Sequence, residues 1–220
     1  MSAATDTLAL IRQLTNLIGA SSSFWPNSKA PQLDDLYEAY LWAETVGIAK
    51  TEGWQVDFVN AGSQKNQFTF RKGPGLLTSP VAYTYATLTD GRRSGELHIG
   101  IRIRGDSSTL HEFDVVALDA HGVAAARAGA KQPGHSTVRL HVEAKFHKGD
   151  LSLGVARGIV GLGADCPSIE PFLVSKALGS PSLRPLIKSH GGHYVDRMFP
   201  GDSGIPYFAT CVKAALGRWR

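Results

Sequence analysis

Residues 137–146, TVRLHVEAKF, alternate without a break. Val138, Leu140, Val142, Ala144 and Phe146 are apolar; Thr137, Arg139, His141, Glu143 and Lys145 are polar, and His147 continues the polar series. A period of two over this length sends one set of side chains to a core and the other to the opposite face of a β-strand, whereas a helix would scatter both around its axis. Glu143 and Lys145 therefore share a face, about 6.5 Å apart along the strand. Ala144 points into the core and leaves its carbonyl available as an oxygen ligand.

Reading outward, HEFDVVALD (111–119) is a half-alternating strand after the turn GDSST. Leu97, Ile99, Ile101 and Ile103 alternate with His98, Gly100, Arg102 and Arg104, which predicts a strand with one core face and one wet face. WQVDFV (54–59), QFTFR (67–71) and AYTYATLT (82–89) carry the β-branched and aromatic residues of further strands. Leu8, Ile11, Leu14 and Ile18 recur at helical steps behind a Thr5/Asp6 cap. A second helix over 33–52 opens on Asp34 and Asp35 and ends at Gly53. Leu151, Val155, Ile159 and Leu162 predict a helix over 150–164, with Gly158 and Gly161 allowing close packing on a sheet; PFLVSKAL (171–178) returns as a strand. AHGVAAARAGAKQPGHS (120–136) reads as a loop, HGGHYVDRMFPGDSGIP (190–206) has no regular period, and YFATCVKAALGRW (207–219) is a helix. The expected fold is α/β, a central mixed β-sheet flanked by helices. It forms one domain over 1–220: an N-terminal helix and linker (1–32), a core (33–178) and a C-terminal loop and helix (179–220).

The 220 residues are 43% hydrophobic and 19% charged, a balance that buries a core and excludes disorder. Two cysteines exclude a disulfide framework, and no Cys/His series has the spacing of a structural zinc module. No leader or membrane span is evident, so a soluble, cytoplasmic protein is expected. A net charge of +4 suits a polyanionic partner.

The chemistry gathers on Glu143-Ala144-Lys145, the only acidic-x-Lys triplet in the chain. Cleaving a phosphodiester adds negative charge to a phosphorus already screened by anionic oxygens, so the catalyst must supply a hard cation and an oriented water. Mg²⁺ takes one or two carboxylates and keeps several waters. Asp114 and Glu143, with the Ala144 carbonyl, are the expected ligands for Mg²⁺ or Mn²⁺. Lys145 would orient the attacking water, and Glu38, on the second helix, would assist from across the cleft. Asp114 sits between Phe113 and the run Val115-Val116-Ala117-Leu118, where an uncompensated carboxylate costs several kcal/mol. The competing reading of Glu143 and Lys145 is an exposed ion pair worth at most about 1 kcal/mol.

With Glu38 in LYEAYLW, Asp114 in HEFDVVAL, and Glu143 and Lys145 in HVEAKFH, the chain resembles the PD-(D/E)xK nuclease superfamily, the restriction-endonuclease-like fold, over about residues 33–178. Phe113 stands where the family's proline often precedes the aspartate. The resemblance implies metal binding and water activation at these positions, with 5′-phosphate and 3′-hydroxyl products, and does not carry over the substrate. The expected activity is a metal-dependent endonuclease acting on DNA or, second to it, RNA, in restriction, repair or host defence, with a homodimer or partner protein because a double-strand break needs two cleavages. The alternative is a non-catalytic nucleic-acid-binding or scaffold protein of the same fold. Glu112 is an extra ligand or a solvated neighbour. Arg102, Arg104, Arg139, His147 and the Arg92-Arg93 turn form a candidate phosphate footprint. Arg71-Lys72-Gly73-Pro74-Gly75 lacks Walker spacing and reads as a loop. His111 and His141 flank the site, and His190 and His193 lack a third ligand for a zinc hydrolase. The four tryptophans, Trp25, Trp42, Trp54 and Trp219, are expected to pack against the sheet.

Overall fold

The computed structural model describes residues 3–18, 32–61, 68–71, 73–81, 83–146 and 149–219. Seven strands form one sheet: β1 (Gln55–Ala61), β2 (Tyr83–Thr89), β3 (Ser94–Arg104), β4 (Leu110–Asp119), β5 (Val138–Lys145), β6 (Phe172–Ser175) and β7 (His193–Val195), side by side in chain order. β1 to β5 make an antiparallel meander, and β5–β6 and β6–β7 pair in parallel. Parallel neighbours need crossovers, which α4 (Leu153–Asp165) and α5 (Leu183–Ser189) supply. The sheet is mixed and helix-flanked, as the alternation and helical spacings predict.

One face of the sheet is covered by α1 (Ala3–Ile18), α2 (Leu33–Thr51) and α6 (Ile205–Arg218), whose Leu14, Trp42 and Phe208 join Leu97, Val115 and Val142 in the largest core cluster. On the other face α3 (Ala120–Ala128) covers Ile101, Phe113 and Val116, while α4 and α5 cover Leu173 and Tyr194. α2 begins where the Asp35 carboxylate accepts the Gln32 amide at 3.1 Å. It is apolar nearly all round because it lies between α1 and the sheet. The Trp42 Nε1 donates to the Leu97 carbonyl at 3.0 Å, locking the helix to β3. Among the described residues, no helix is long and apolar enough to cross a membrane.

Several elements depart from the sequence reading. Leu97 and Ile99 pack toward α2, but Ile101 and Ile103 belong to the cluster on the opposite face. Between them Gly100 has φ +58°, a conformation that turns the strand over and lets one unbroken alternation serve two cores. β4 makes the same change of face, since Val115 packs toward α2 and Phe113 away from it. Ile99 pairs with Val115 and Ile101 with Phe113, so Gly100 lies opposite Asp114. The expected wet face of β3 holds at the exposed Arg102 but not at His98, which is fully buried, 2.9 Å from Glu96, whose carboxylate Arg127 grips at 2.7 Å.

The segment read as a strand over 67–71 is not one over its described residues 68–71, although Thr84 N donates to Thr69 O at 2.8 Å. The segment read as a loop over 120–136 holds α3, an alanine-rich helix capped by Asp119, whose carboxylate accepts the Gly122 amide at 2.7 Å. β7 has three residues and α5 seven, too short to show a period. Asp6 lies within the first turn of α1, which begins at Ala3, rather than capping it, and is buried in an ion pair with Lys176.

Gly158 and Gly161 do not serve packing on the sheet. Both are exposed, and a Cβ at either would meet nothing within 4 Å. Gly158→Ala is accordingly expected to stabilise the protein by about 0.5–1 kcal/mol, the helical preference of alanine over glycine. Gly100→Ala is expected to destabilise it by about 1–2 kcal/mol, because alanine resists positive φ. Chemical denaturation of the two variants checks both signs.

Candidate metal centre

β4 and β5 stay paired only as far as Val115↔Val142, and from Glu143 onward β5 pairs with β6 instead. The strands part at this fork, and the Ala144 amide loses a backbone partner on the β4 side. Asp114 replaces it, its Oδ2 accepting the Ala144 N–H at 2.8 Å. In an extended strand a residue's N–H and C=O point the same way, so the Ala144 carbonyl also faces the fork. The next carbonyl, of Lys145, turns to β6 and accepts from Lys176 N at 3.4 Å.

Glu143 and Lys145 converge on the same point. Lys145 Nζ lies 2.7 Å from Glu143 Oε1 and 3.8 Å from Asp114 Oδ2. Behind them His141, buried beneath Phe113 with ring centroids 4.4 Å apart, places Nε2 3.6 Å from Glu143 Oε2. Glu38 on α2 and Glu112 on β4 complete an acidic ring that interacts with Asp114. The site opens into a cavity of about 350 Å³ lined by His111, Glu112, Glu143, Lys145 and the α4 residues Val155 and Gly158. Asp114, Glu143 and Lys145, and Glu38 and Glu112 with them, are thus gathered at one place.

Among the described residues the electrostatics are unbalanced: the carboxyl groups of Glu38, Glu112, Asp114 and Glu143 all interact with the one ammonium of Lys145. Burial, then the Glu143 charge, pushes Asp114 up to about 7, against the pull of Lys145 and the Ala144 amide. Burial, Asp114 and Glu112 push Glu38 up to about 9. Burial also raises Glu112. Glu143 goes the other way: burial raises it, but His141 and Lys145 outweigh burial and hold it at about 2. Lys145 is lowered by burial and raised more by Glu143 and Asp114, so it stays an ammonium. Among the described residues, the ring has more acid oxygens than Lys145 can neutralise. An all-oxygen donor set with surplus negative charge fits the chemistry of a hard divalent cation such as Mg²⁺ or Mn²⁺, which Asp114, Glu143 and the Ala144 carbonyl would hold.

The candidate phosphate footprint is reduced. Arg93 is a clamp: Nε donates to Asp90 at 2.6 Å, Nη1 donates to the Leu216 and Trp219 carbonyls at 2.9 and 3.0 Å, and the guanidinium lies over Trp54. Arg139 is spent on Asp119 at 3.0 Å and on Ser136 O at 2.8 Å. Arg71 stacks on Tyr83 and donates to Leu76 O, which makes its loop a strut. Arg102 is exposed and pairs across the strands with Glu112, and Arg104 is partly buried nearby on β3. His147 and Trp25 lie outside the described residues. Trp42, Trp54 and Trp219 are buried as expected.

His190 contacts Leu186 and Ser189, and His193 lies 2.9 Å from Glu170, so these two do not form a metal site together. His111 instead meets Asp165 and Cys166, which the sequence reading did not single out. They are more than fifty positions from His111 along the chain, so no spacing motif links them. In comparison with known proteins, the chain shows no significant match to a family model, to a curated protein or to a solved structure.

A consequence for stability follows from the raised carboxyls. The fold favours protonated Asp114, so its contribution is complete below about pH 4 and is lost as pH rises to about 7. Without divalent cations, Asp114→Asn is expected to exceed wild type in stability by on the order of 1–3 kcal/mol at pH 8, with the difference vanishing near pH 4. Thermal denaturation in chelator across this range measures it; an Asn variant less stable than wild type at pH 8 contradicts the assignment.

Proposed function

We propose that the protein is a Mg²⁺-dependent endonuclease that hydrolyses phosphodiester bonds of DNA, with the restriction-endonuclease-like arrangement its motif resembles. One observation carries the reading. At the mouth of a cavity, two carboxylates from adjacent strands and an ammonium two residues along meet within 4 Å of that ammonium. A solvated surface ion pair does not explain it, because Asp114 is only 7% exposed and bound to a backbone amide.

Each residue has a distinct task. Asp114 and Glu143 are the ligands, with the Ala144 carbonyl as a third oxygen. Mg²⁺ bound there supplies a Lewis acid against the charge that develops on the phosphate. Glu143, held ionised, keeps a ligand charge available at neutral pH. The Lys145 ammonium, fixed by Glu143 at 2.7 Å, is placed to donate to the attacking water or to a non-bridging phosphate oxygen. Water attacks phosphorus in line and gives up a proton to solvent as the new P–O bond forms, the bond to the 3′ oxygen breaks, and that oxygen takes up a proton from solvent to leave as a hydroxyl. Glu38, whose burial favours the protonated form, sits across the ring as a carboxyl that can exchange a proton with solvent or substrate. Four carboxylates repel a polyanion, so DNA engages the site only with the cation, and the exposed Arg102 beside Glu112 offers a phosphate contact at its rim.

The purified protein is expected to nick or linearise plasmid DNA with Mg²⁺ or Mn²⁺ and not with chelator. Asp114→Ala, Glu143→Ala and Lys145→Ala should each lower the cleavage rate by about 10²–10⁴-fold, while DNA retention in a mobility-shift assay in Ca²⁺ persists for Lys145→Ala. Cutting that survives chelator and all three substitutions rejects the reading. Binding without cutting under any divalent ion supports the scaffold alternative.

A further inference from the structure

A second cluster lies one short step from the carboxylate ring. His111, the residue before Glu112 on β4, places Nε2 2.6 Å from Asp165 Oδ2 at the C-terminal end of α4. Cys166, the next residue, is fully buried, and one ligand atom from each of the three lies within 4.8 Å of the others. Among the described residues, no other group of three such side chains gathers so closely.

We infer that His111, Asp165 and Cys166 form a second metal site, for a divalent transition metal of the zinc class, that ties the start of β4 to the end of α4. The donor set decides the class. One thiol, one imidazole and one carboxylate suit a borderline-soft ion, unlike the all-oxygen ring around Asp114, and three protein ligands leave one position of a tetrahedron to solvent. Ligand atoms around zinc stand roughly 3.3–3.8 Å apart, so side-chain adjustments of about an ångström close the set.

The surroundings hold the cluster for a cation. Asp165 puts a negative charge at the negative end of the α4 dipole, and no basic residue occupies that last turn, a placement that a bound cation turns from unfavourable to favourable. Its carboxylate is oriented by the Ser107 amide at 2.7 Å and the Ser107 hydroxyl at 2.8 Å, the outer contacts that ligating carboxylates require. Gly105 gives it room: a Cβ there would sit 2.1 Å from Asp165 Oδ2. His111 and Ser107 keep Asp165 ionised, at about 2, while burial and the two acids Asp165 and Asp106 push the Cys166 thiol up to about 11. Metal entry therefore forms the Cys166–metal bond and releases the thiol proton to solvent; no oxidation is involved.

Titration of the metal-free protein with Co²⁺ alone tests the site. A thiolate-to-cobalt charge-transfer band in the near ultraviolet is expected to saturate at about one equivalent and to disappear when Zn²⁺ is added. Cys166→Ser should abolish the band, and His111→Gln should weaken Co²⁺ binding by about tenfold or more. Cys211→Ser and Glu143→Gln should keep it, which separates this site from the carboxylate ring whatever the outcome of the cleavage assay. His111 is partly exposed, so His111→Gln remains informative if Cys166→Ser unfolds. A wild-type protein without the band, or a band that persists unchanged in Cys166→Ser or His111→Gln, overturns the assignment.

Discussion

A single unpaired backbone amide organises the functional end of this molecule. Where β5 leaves β4 for β6, the Ala144 N–H has no strand to bond, and a buried amide without a partner costs about as much as a lost hydrogen bond. Asp114 takes that place at 2.8 Å. A carboxylate is thereby built into the sheet at a point where apolar residues press from both sides. Its charge is then the next quantity the fold must accommodate. Lys145, the residue after Ala144 on β5, does so in part, and Glu143, the residue before Ala144, fixes that lysine in turn. Backbone topology, a buried acid and an oriented ammonium thus follow from one divergence of strands.

The compensation is incomplete, and that gives the site its chemical character. Among the described residues one ammonium faces Asp114, Glu143, Glu112 and Glu38, and burial leaves little water to screen Asp114, the most enclosed of them. The protein alone answers by holding protons on the most buried acids. A hard divalent ion answers better, because it neutralises two charges at once and frees those protons. The neighbouring cluster on His111, Asp165 and Cys166 differs in kind, since a thiol and an imidazole favour a softer ion. Glu112 stands beside His111 on β4, so the two proposed centres would share a strand while their donor sets suit different metals.

Much of this was legible in the sequence because β5 is regular. Ten alternating residues place Glu143 and Lys145 on one face, and the apolar run after Asp114 makes its charge costly wherever the strand lies. The apolar alternation of β3 is equally regular and misleads, because Gly100 turns the strand over midway and a period of two carries no record of a change of face. α3 was hidden by its alanines, which fit a loop or a helix until Asp119 is recognised as a cap. Arg93 and Arg139 resemble phosphate contacts in sequence, yet each is spent on a carboxylate and on carbonyls within the fold. Asp165 and Cys166 reach His111 only through the crossover of α4, a proximity that exists in three dimensions alone.

The claim on which this account rests is that the fork of β4 and β5 holds a hard divalent cation. Calorimetric titration of the chelator-treated protein with Mn²⁺, beside the Asp114→Asn and Glu143→Gln variants, measures it most directly. The account predicts a saturable exchange of heat in wild type, with protons released into buffer near pH 7, and loss of that signal in both variants. Equal Mn²⁺ binding in all three proteins, or none in wild type, would contradict it.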